Sequence, residues 1–335
     1  MLLLISLVGL SQAKLELIST VSKALSGKDD ISSETALMVR MIAKEMGYES
    51  KKKPRNGLEI IGVICPEIES NYYSQLLSWI ERYVKDKGYS LYVGFSDYLE
   101  SNEIQYIEKF IRTKVDGIIY ISENRAIGRT FAKAAKRISI PITAIAQNNE
   151  SRDFDCIRID DDYGVRIAVE HMISKGHRNI CYIGDNLSDY TRKMAFKKVL
   201  QEAGIEIIEE WIYTGSKRFE ECGYEGMKKI LSQKRHPTAV FAAYDDIAIG
   251  AMKAIYEKGL IIPEDISIAA IDDIRISEYL HPGLTTVACP IKEMARIAVS
   301  TLMYRIESNE DRPTQSVSLN PELMLRRSVG FPKTC

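Results

Sequence analysis

Ile60-Ile61-Gly62-Val63-Ile64-Cys65 is a continuous apolar run rich in β-branched residues. A run of that length and composition reads as a strand buried on both faces, the kind found in parallel sheets. Downstream, residues 73–87 carry helical spacing and end at Gly88. The alternation then repeats. Strands are expected at 90–95, 117–121, 142–146, 180–183, 239–242 and 267–271. Helices are expected at 103–113, 127–137, 165–175, 191–203, 222–231, 247–258 and 291–306. Strands alternating with helices specify parallel sheets covered on both faces. About 275 residues of this pattern exceed one sheet, so the expected fold class is α/β with two lobes.

Upstream of residue 58 the pattern is all-helical. Leu15, Ile18, Val21 and Leu25 form a stripe that Gly27 ends, Ser32 offers a hydroxyl cap, and Leu37, Met41 and Ile42 make the next apolar face. Lys51-Lys52-Lys53-Pro54-Arg55-Asn56-Gly57 is basic and holds both helix breakers, a linker signature. The expected organisation is a head at 1–48, a linker at 49–59 and a two-lobed unit at 60–335. Its lobes are drawn near 60–160 plus 290–320 and near 161–289 plus 321–330.

The chain has 335 residues and a net charge of −1. Residues 1–57 hold nine basic and six acidic side chains, so the head is mildly cationic and the rest mildly anionic. That polarity suits nucleic-acid contact at one end. The six cysteines form no CxxC pair and read as small core residues of a chain in a reducing compartment, the cytoplasm. Residues 1–13 resemble an export signal but lack a basic residue before the apolar run. An exported, periplasmic-type sugar-binding protein is therefore the alternative reading, and a membrane partner is not expected.

There is no P-loop, dinucleotide fingerprint, nucleophile elbow or H-E-x-x-H motif. No catalytic residue, metal or cofactor is expected, and the chain does not read as an enzyme. His177, after Gly176 at a helix end, reads as structural, bonding terminal carbonyls. Polar groups do collect after the expected strands: Asn71-Tyr72-Tyr73, Arg192, Tyr244-Asp245-Asp246 and Asp272-Asp273. In open parallel sheets, ligands bind beyond the carboxyl ends of the strands. Carboxylates accept from paired hydroxyls, a guanidinium donates in a fixed fork and aromatics stack on sugar faces, so this set suits a polyhydroxy ligand. Each aspartate alone reads equally well as a helix cap.

Several motifs resemble the LacI/GalR family of transcription regulators, in the family's order. They are Asp116-Gly117-Ile118-Ile119; His171-Met172-Ile173-Ser174-Lys175-Gly176-His177-Arg178; Thr238-Ala239-Val240-Phe241-Ala242 with Asp245; Ile262-Pro263-Glu264-Asp265-Ile266-Ser267; and Leu284-Thr285-Thr286-Val287. The resemblance covers about four-fifths of the chain. It implies a two-lobed, periplasmic-binding-protein-like sensor behind a helix-turn-helix head, and a homodimeric repressor of carbohydrate-related genes with operator DNA and a small sugar-like effector as partners. It further implies that Arg192 grips the effector, that Asp272 binds its hydroxyls, and that Tyr72, Tyr73 and Phe219 supply aromatic walls, with Tyr244 and Asp245 at the strand end. Tyr244 stands where an asparagine is usual and Ala146 where an aspartate is common, so the pocket has traded polar contacts for a phenol.

Ser19-Thr20-Val21-Ser22-Lys23 resembles the start of the family's recognition helix, which reads base edges and phosphates. Lys51, Lys52 and Lys53 would hold phosphates. The first helix and the turn before Ser19 depart from the family pattern, and the linker lacks its minor-groove leucine.

Overall fold

The computed structural model describes residues 59–122, 140–146, 153–186, 189–308 and 312–333, with Thr20, Val21, Ser32, Thr35, Met38, Val39, Met41 and Ile42. The chain divides into two compact units, Met1–Asn56 and Gly57–Cys335.

In the first unit, Thr20 and Val21 are helical, as are Thr35, Met38, Val39, Met41 and Ile42. Ser32 caps the second stretch: its Oγ accepts from Thr35 N at 3.2 Å and lies 2.8 Å from Thr35 Oγ1. Met41 and Ile42, expected on a packed face, stand exposed. Ser19, Ser22, Lys23, Lys51, Lys52 and Lys53, and the expected helix at 127–137, lie outside the described residues.

The second unit holds two six-stranded sheets with matching topology. The first is built from β1 (Ile60–Cys65), β2 (Ser90–Phe95), β3 (Gly117–Ser122), β4 (Ile142–Ala146), β5 (Asp155–Ile159) and β11 (Ser316–Leu319). The second takes β6 (Ile180–Asp185), β7 (Ile212–Gly215), β8 (Ala239–Ala242), β9 (Ser267–Asp272), β10 (Thr285–Ala288) and β12 (Glu322–Met324). The orders are β11-β5-β4-β3-β1-β2 and β12-β10-β9-β8-β6-β7. All ladders are parallel except β10–β12. Each sheet is doubly wound, with its switch point beside β1 and β3 or β6 and β8.

The chain passes between sheets after β5, after β10 and between β11 and β12. α1 (Asn71–Asp86), α2 (Glu100–Thr113) and α7 (Ile291–Glu307) belong to the first lobe; α3 (Asp161–Ser174), α4 (Asp189–Glu202), α5 (Phe219–Leu231) and α6 (Asp245–Glu257) belong to the second. The first sheet carries apolar cores on both faces, one built on Ile61, Leu76, Ile119 and Leu302, the other on Ile64, Phe110 and Ile118. The second lobe has one core around Phe196, Trp211, Phe241 and Ile268.

The helices start earlier than apolar spacing alone predicts, because their first turns are acidic. Glu100 and Glu103, Asp161 and Asp162, Glu220 and Glu221, and Asp245 and Asp246 occupy N-terminal turns, where carboxylates complement the helix dipole. Two glycines then set the geometry of the second lobe. A Cβ on Gly223 would sit 1.9 Å from Ile247 O, and one on Gly250 would sit 1.9 Å from Glu220 O. Without side chains there, α5 and α6 approach backbone to backbone. Their N-termini, carrying Phe219 and Tyr244-Asp245-Asp246, arrive side by side at the carboxyl ends of the strands.

His177 is structural, but by a different set of bonds from the one expected. Its ring nitrogens meet Thr238 Oγ1 at 2.9 Å, Ser267 Oγ at 3.0 Å and Gly330 O at 3.1 Å, tying three distant segments together. Cys65, Cys156, Cys181 and Cys222 are buried. Among the described residues, no helix is long and apolar enough to cross a membrane.

Candidate effector site between the lobes

A cleft opens between the lobes at the carboxyl ends of both sheets.

The first lobe contributes the N-terminus of α1. Ser70 Oγ caps it by accepting from Tyr73 N at 3.2 Å, and Glu67 Oε2 holds Ser70 N at 2.9 Å. The cap sets Tyr72 and Tyr73 on the cleft wall, their rings edge to face at 5.2 Å. Ser122 at the end of β3, Ala146 at the end of β4, and Met294 line the same space.

The second lobe contributes most of the charges. Arg192 on α4 is buried; its Nε donates to Asp161 Oδ1 at 3.0 Å and an Nη donates to Ala243 O at 2.7 Å. A second Nη lies 3.7 Å from Asp272 Oδ1. Asp272 ends β9 at φ 117°, with Asp273 following at φ 54°, a left-handed turn that aspartate tolerates better than most residues. Burial pushes the Asp272 carboxyl well above the usual carboxylate range, against the pull of Arg192. Cys289 Sγ lies 3.7 Å from Asp272 Oδ1. Asp161 follows the first crossing between sheets and Cys289 precedes the second, so the cluster around Arg192 is built on the hinge.

Phe219 opens α5 at φ 54°, and its N–H donates to the Tyr244 hydroxyl at 3.2 Å. The Tyr244 hydroxyl donates to Asp185 Oδ2 at 2.5 Å. Burial, then the Asp185 charge, push the Tyr244 phenol well above its ordinary range, so it stays protonated. Tyr244 therefore lines the cleft with its hydroxyl already committed, and the expected gain of a phenolic contact reduces to an aromatic wall.

Asp245 is a correction. It is fully buried and does not line the cleft. Its Oδ2 accepts from Ser277 Oγ at 2.5 Å and Ile274 N at 2.9 Å, and its Oδ1 from Thr286 Oγ1 at 2.5 Å. Burial pushes its carboxyl up to about 7, with these three bonds opposing. It pins the loop after β9. The neighbour, Asp246, faces the cleft instead and accepts from Asn71 Nδ2 of the other lobe at 3.1 Å.

Sequence reasoning placed Asp246 in the strand-end set but missed Asp161, Ser122, Arg158 and Arg218 as cleft residues. Arg218 is the most informative of them. Its guanidinium lies over the Phe219 ring at 4.3 Å and over the first lobe's Tyr98 ring at 4.9 Å. It also approaches Glu67 of the first lobe at 3.7 Å and Asp185 of the second at 4.0 Å. With Asn71–Asp246, it clasps the two lobes together across the cleft. A signal existed in its place directly before Phe219, which the aromatic alone absorbed.

A family profile described as a periplasmic binding protein-like domain matches residues 169–329. The "HTH-type transcriptional repressor PurR" of Pasteurella multocida is 32% identical over 320 residues, covering 93% of this chain and 94% of that protein. The protein of the same name from Serratia proteamaculans is 32% identical over 321 residues, covering 93% of each. A 93% match is longer than the sensor unit alone, so the likeness runs into the first 56 residues. Among solved structures, the regulator CcpA of Lactococcus lactis aligns with TM-score 0.70 at 25% identity, covering 81% of this chain and 98% of that one. A LacI-family regulator from Enterococcus faecium, solved with bound ribose, aligns with TM-score 0.71 at 27% identity, covering 81% and 98%. The chain belongs to the LacI/GalR-type family and is a ligand-responsive, DNA-binding transcriptional repressor.

Proposed function

We propose that the effector is a small sugar-like molecule held between the lobes by Arg192, Asp161 and Asp272, walled by Tyr72, Tyr73, Phe219 and Tyr244, with Asp246 and Arg218 closing over it. The single observation that carries this reading is the buried Arg192–Asp161–Asp272 cluster at the hinge, facing aromatic rings on both sides of the cleft. Paired carboxylates and a guanidinium match vicinal hydroxyls, and rings match the apolar faces of a sugar. The ribose held by the Enterococcus faecium relative supports the same class. The genes controlled are then carbohydrate-related.

DNA is met by Ser19, Thr20, Val21, Ser22 and Lys23 of the recognition helix, with Lys51, Lys52 and Lys53 on phosphates. The working form is a cytoplasmic homodimer without enzymatic activity. In this reading the contact between protomers includes Tyr279 and Leu325, 70% and 63% exposed on the second lobe.

A thermal-shift screen of the full chain against mono- and disaccharides tests the ligand class, because a ligand that binds only the folded state raises the melting temperature by mass action. At least one sugar is expected to stabilise the chain and to change salt-sensitive band shifts on its own upstream DNA. A screen in which no sugar stabilises it overturns the ligand class; absence of salt-sensitive DNA binding at any ligand level overturns the DNA contacts.

A further inference from the structure

Phe219 meets the cleft on an unfavourable backbone. It opens α5 at φ 54°, in the left-handed region that a residue with a Cβ seldom adopts. Arg218, the residue before it, caps the helix without a side-chain hydrogen bond, and Ser216 and Lys217 stand exposed. The turn therefore has little support of its own. Support arrives from the strand ends behind it. The Phe219 N–H donates to the Tyr244 hydroxyl at 3.2 Å, and that hydroxyl donates to Asp185 Oδ2 at 2.5 Å. Asp185 ends β6 and Tyr244 caps α6 just after β8; both are buried. β6 and β8 pair directly in the sheet, so both anchors stand on the core of the lobe.

The order of these bonds matters. A phenol has one proton to give. Asp185 takes it, which leaves the Tyr244 oxygen to accept from the Phe219 amide. The same Asp185 Oδ2 lies 4.0 Å from Arg218 Nε, and the Arg218 guanidinium lies over the Phe219 ring at 4.3 Å. The Phe219 ring also meets the Tyr244 ring edge to face, with centroids 6.3 Å apart. One carboxylate thus bears on two consecutive cleft residues without lining the cleft itself. An apolar pair in place of Asp185 and Tyr244 would fill the space without burying polar groups; what the polar pair adds is a hold on the Phe219 backbone. A strained residue at a ligand contact persists only where its surroundings over-determine it. We propose that Asp185 and the Tyr244 hydroxyl are positioning residues for effector recognition: they lock the 218–219 turn, so that the Phe219 ring with the Arg218 guanidinium upon it stands preformed as the aromatic wall of the second lobe. This rests on the reading of the cleft as the effector site. The hydroxyl acts through Phe219, and it strengthens binding by sparing the ligand the cost of ordering that wall.

Y244F removes the hydroxyl and keeps the ring. With 4-fluorophenylalanine built into the full, ligand-free chain at position 219, fluorine-19 NMR is expected to show a single narrow resonance in the parent and a broadened or doubled one in Y244F. A Y244F resonance as narrow as the parent's, at the parent's shift, overturns the proposal. D185N keeps an oxygen for the Tyr244 proton and is expected to stay close to the parent, whereas D185A is expected to follow Y244F; a D185A spectrum like the parent's overturns the role of Asp185. Calorimetric titration gives the second readout, with D-ribose and each sugar of the mono- and disaccharide screen that stabilises the parent chain. Y244F is expected to weaken binding about five-fold. In an F219L chain, where the wall is already lost, adding Y244F is expected to weaken it no further, because the two changes remove one and the same contribution. Parental affinity in Y244F, or a five-fold loss repeated in full on the F219L background, overturns the proposal. The NMR measurement uses no effector. A chain that no sugar stabilises therefore overturns the reading of the cleft, while an unmoved resonance at position 219 overturns this inference alone.

Discussion

Replacing Asp245 by alanine separates a fold-bearing aspartate from a ligand-bearing one. The carboxylate accepts from Ile274 N, Ser277 Oγ and Thr286 Oγ1, all in a fully buried setting. Each buried donor left without an acceptor costs about 1–3 kcal/mol. The two hydroxyls can rotate and recover part of that; the Ile274 amide cannot. Relief of the buried charge offsets some of the rest, since burial already pushes this carboxyl up to about 7. The net loss for D245A is about 4 kcal/mol, which in a unit of this size lowers the melting temperature by roughly 7 °C. D245N keeps an oxygen for Ile274 N and is expected to lose less than half as much. Neither change touches the cleft lining, so the effector affinity of the folded fraction stays within two-fold of the parent. D246A should behave in the opposite way, with stability within about 1 kcal/mol and weakened effector binding. Urea denaturation followed by circular dichroism, beside calorimetric titration with a stabilising sugar, reads both quantities. A D245A chain of parental stability that no longer binds the sugar would refute the assignment.

R218M removes the guanidinium between Tyr98 and Phe219 while keeping the length of the side chain; loss of about 1 kcal/mol of cation–π attraction should weaken effector binding about five-fold and enlarge the ligand-free radius of gyration in small-angle scattering, and an unchanged radius counts against the clasp. E103Q tests the buried acid through stability: the folded chain holds a proton at Glu103 up to about pH 7 whereas the unfolded chain releases it near 4.5, so this group makes stability fall as pH rises through that window, by on the order of 3 kcal/mol. The glutamine variant should lack that component, and equal pH slopes in the two chains between pH 4.5 and 8 would contradict it. Y279D places a charge on a 70% exposed ring and should raise the dimer dissociation constant at least ten-fold in sedimentation velocity; a dimer of parental strength rules this ring out of the contact.

The α/β alternation was legible because β1, β3, β6 and β9 are almost wholly buried and therefore almost wholly apolar. β5 escaped because Asp155 interrupts its pattern: the carboxylate is buried only because Arg305 and Gln315 N satisfy it across the lobe, at 2.8 and 2.7 Å, contacts that no local reading contains. Losing β5 also hid Asp161, which follows its end. β11 and β12 are short edge strands, half exposed and mixed in composition. Asp245 and Asp246 could not be told apart in advance. Neighbours on a helix point about 100° apart, and which one meets the ligand depends on where Ser277 and Thr286 come to rest. Arg192 and Asp272 were legible through the family likeness, and both line the cleft.

The placement of Arg192 sets the charged end of the cleft beside two of the crossings between the lobes. Its guanidinium already bonds Asp161, just past one crossing between the sheets, and faces Asp272, whose other neighbour Cys289 lies just before the next. The clasp of Asn71 on Asp246 and of Arg218 on Glu67 and Tyr98 holds the lobes together through a few contacts, in which exposed Asn71 and half-buried Arg218 meet buried Asp246 and Glu67, each worth on the order of 1–2 kcal/mol. A closed state maintained so weakly exchanges readily with an open one, and a ligand shifts that balance only by its difference in affinity for the two. Contacts supplied by one lobe alone, such as Arg192 with Asp272, bind both states alike. On the proposed reading of the cleft, contacts that need both lobes, Tyr72 and Tyr73 opposite Phe219, belong to the closed state only, so the aromatic walls, more than the charged cluster, would convert binding into a change of lobe arrangement.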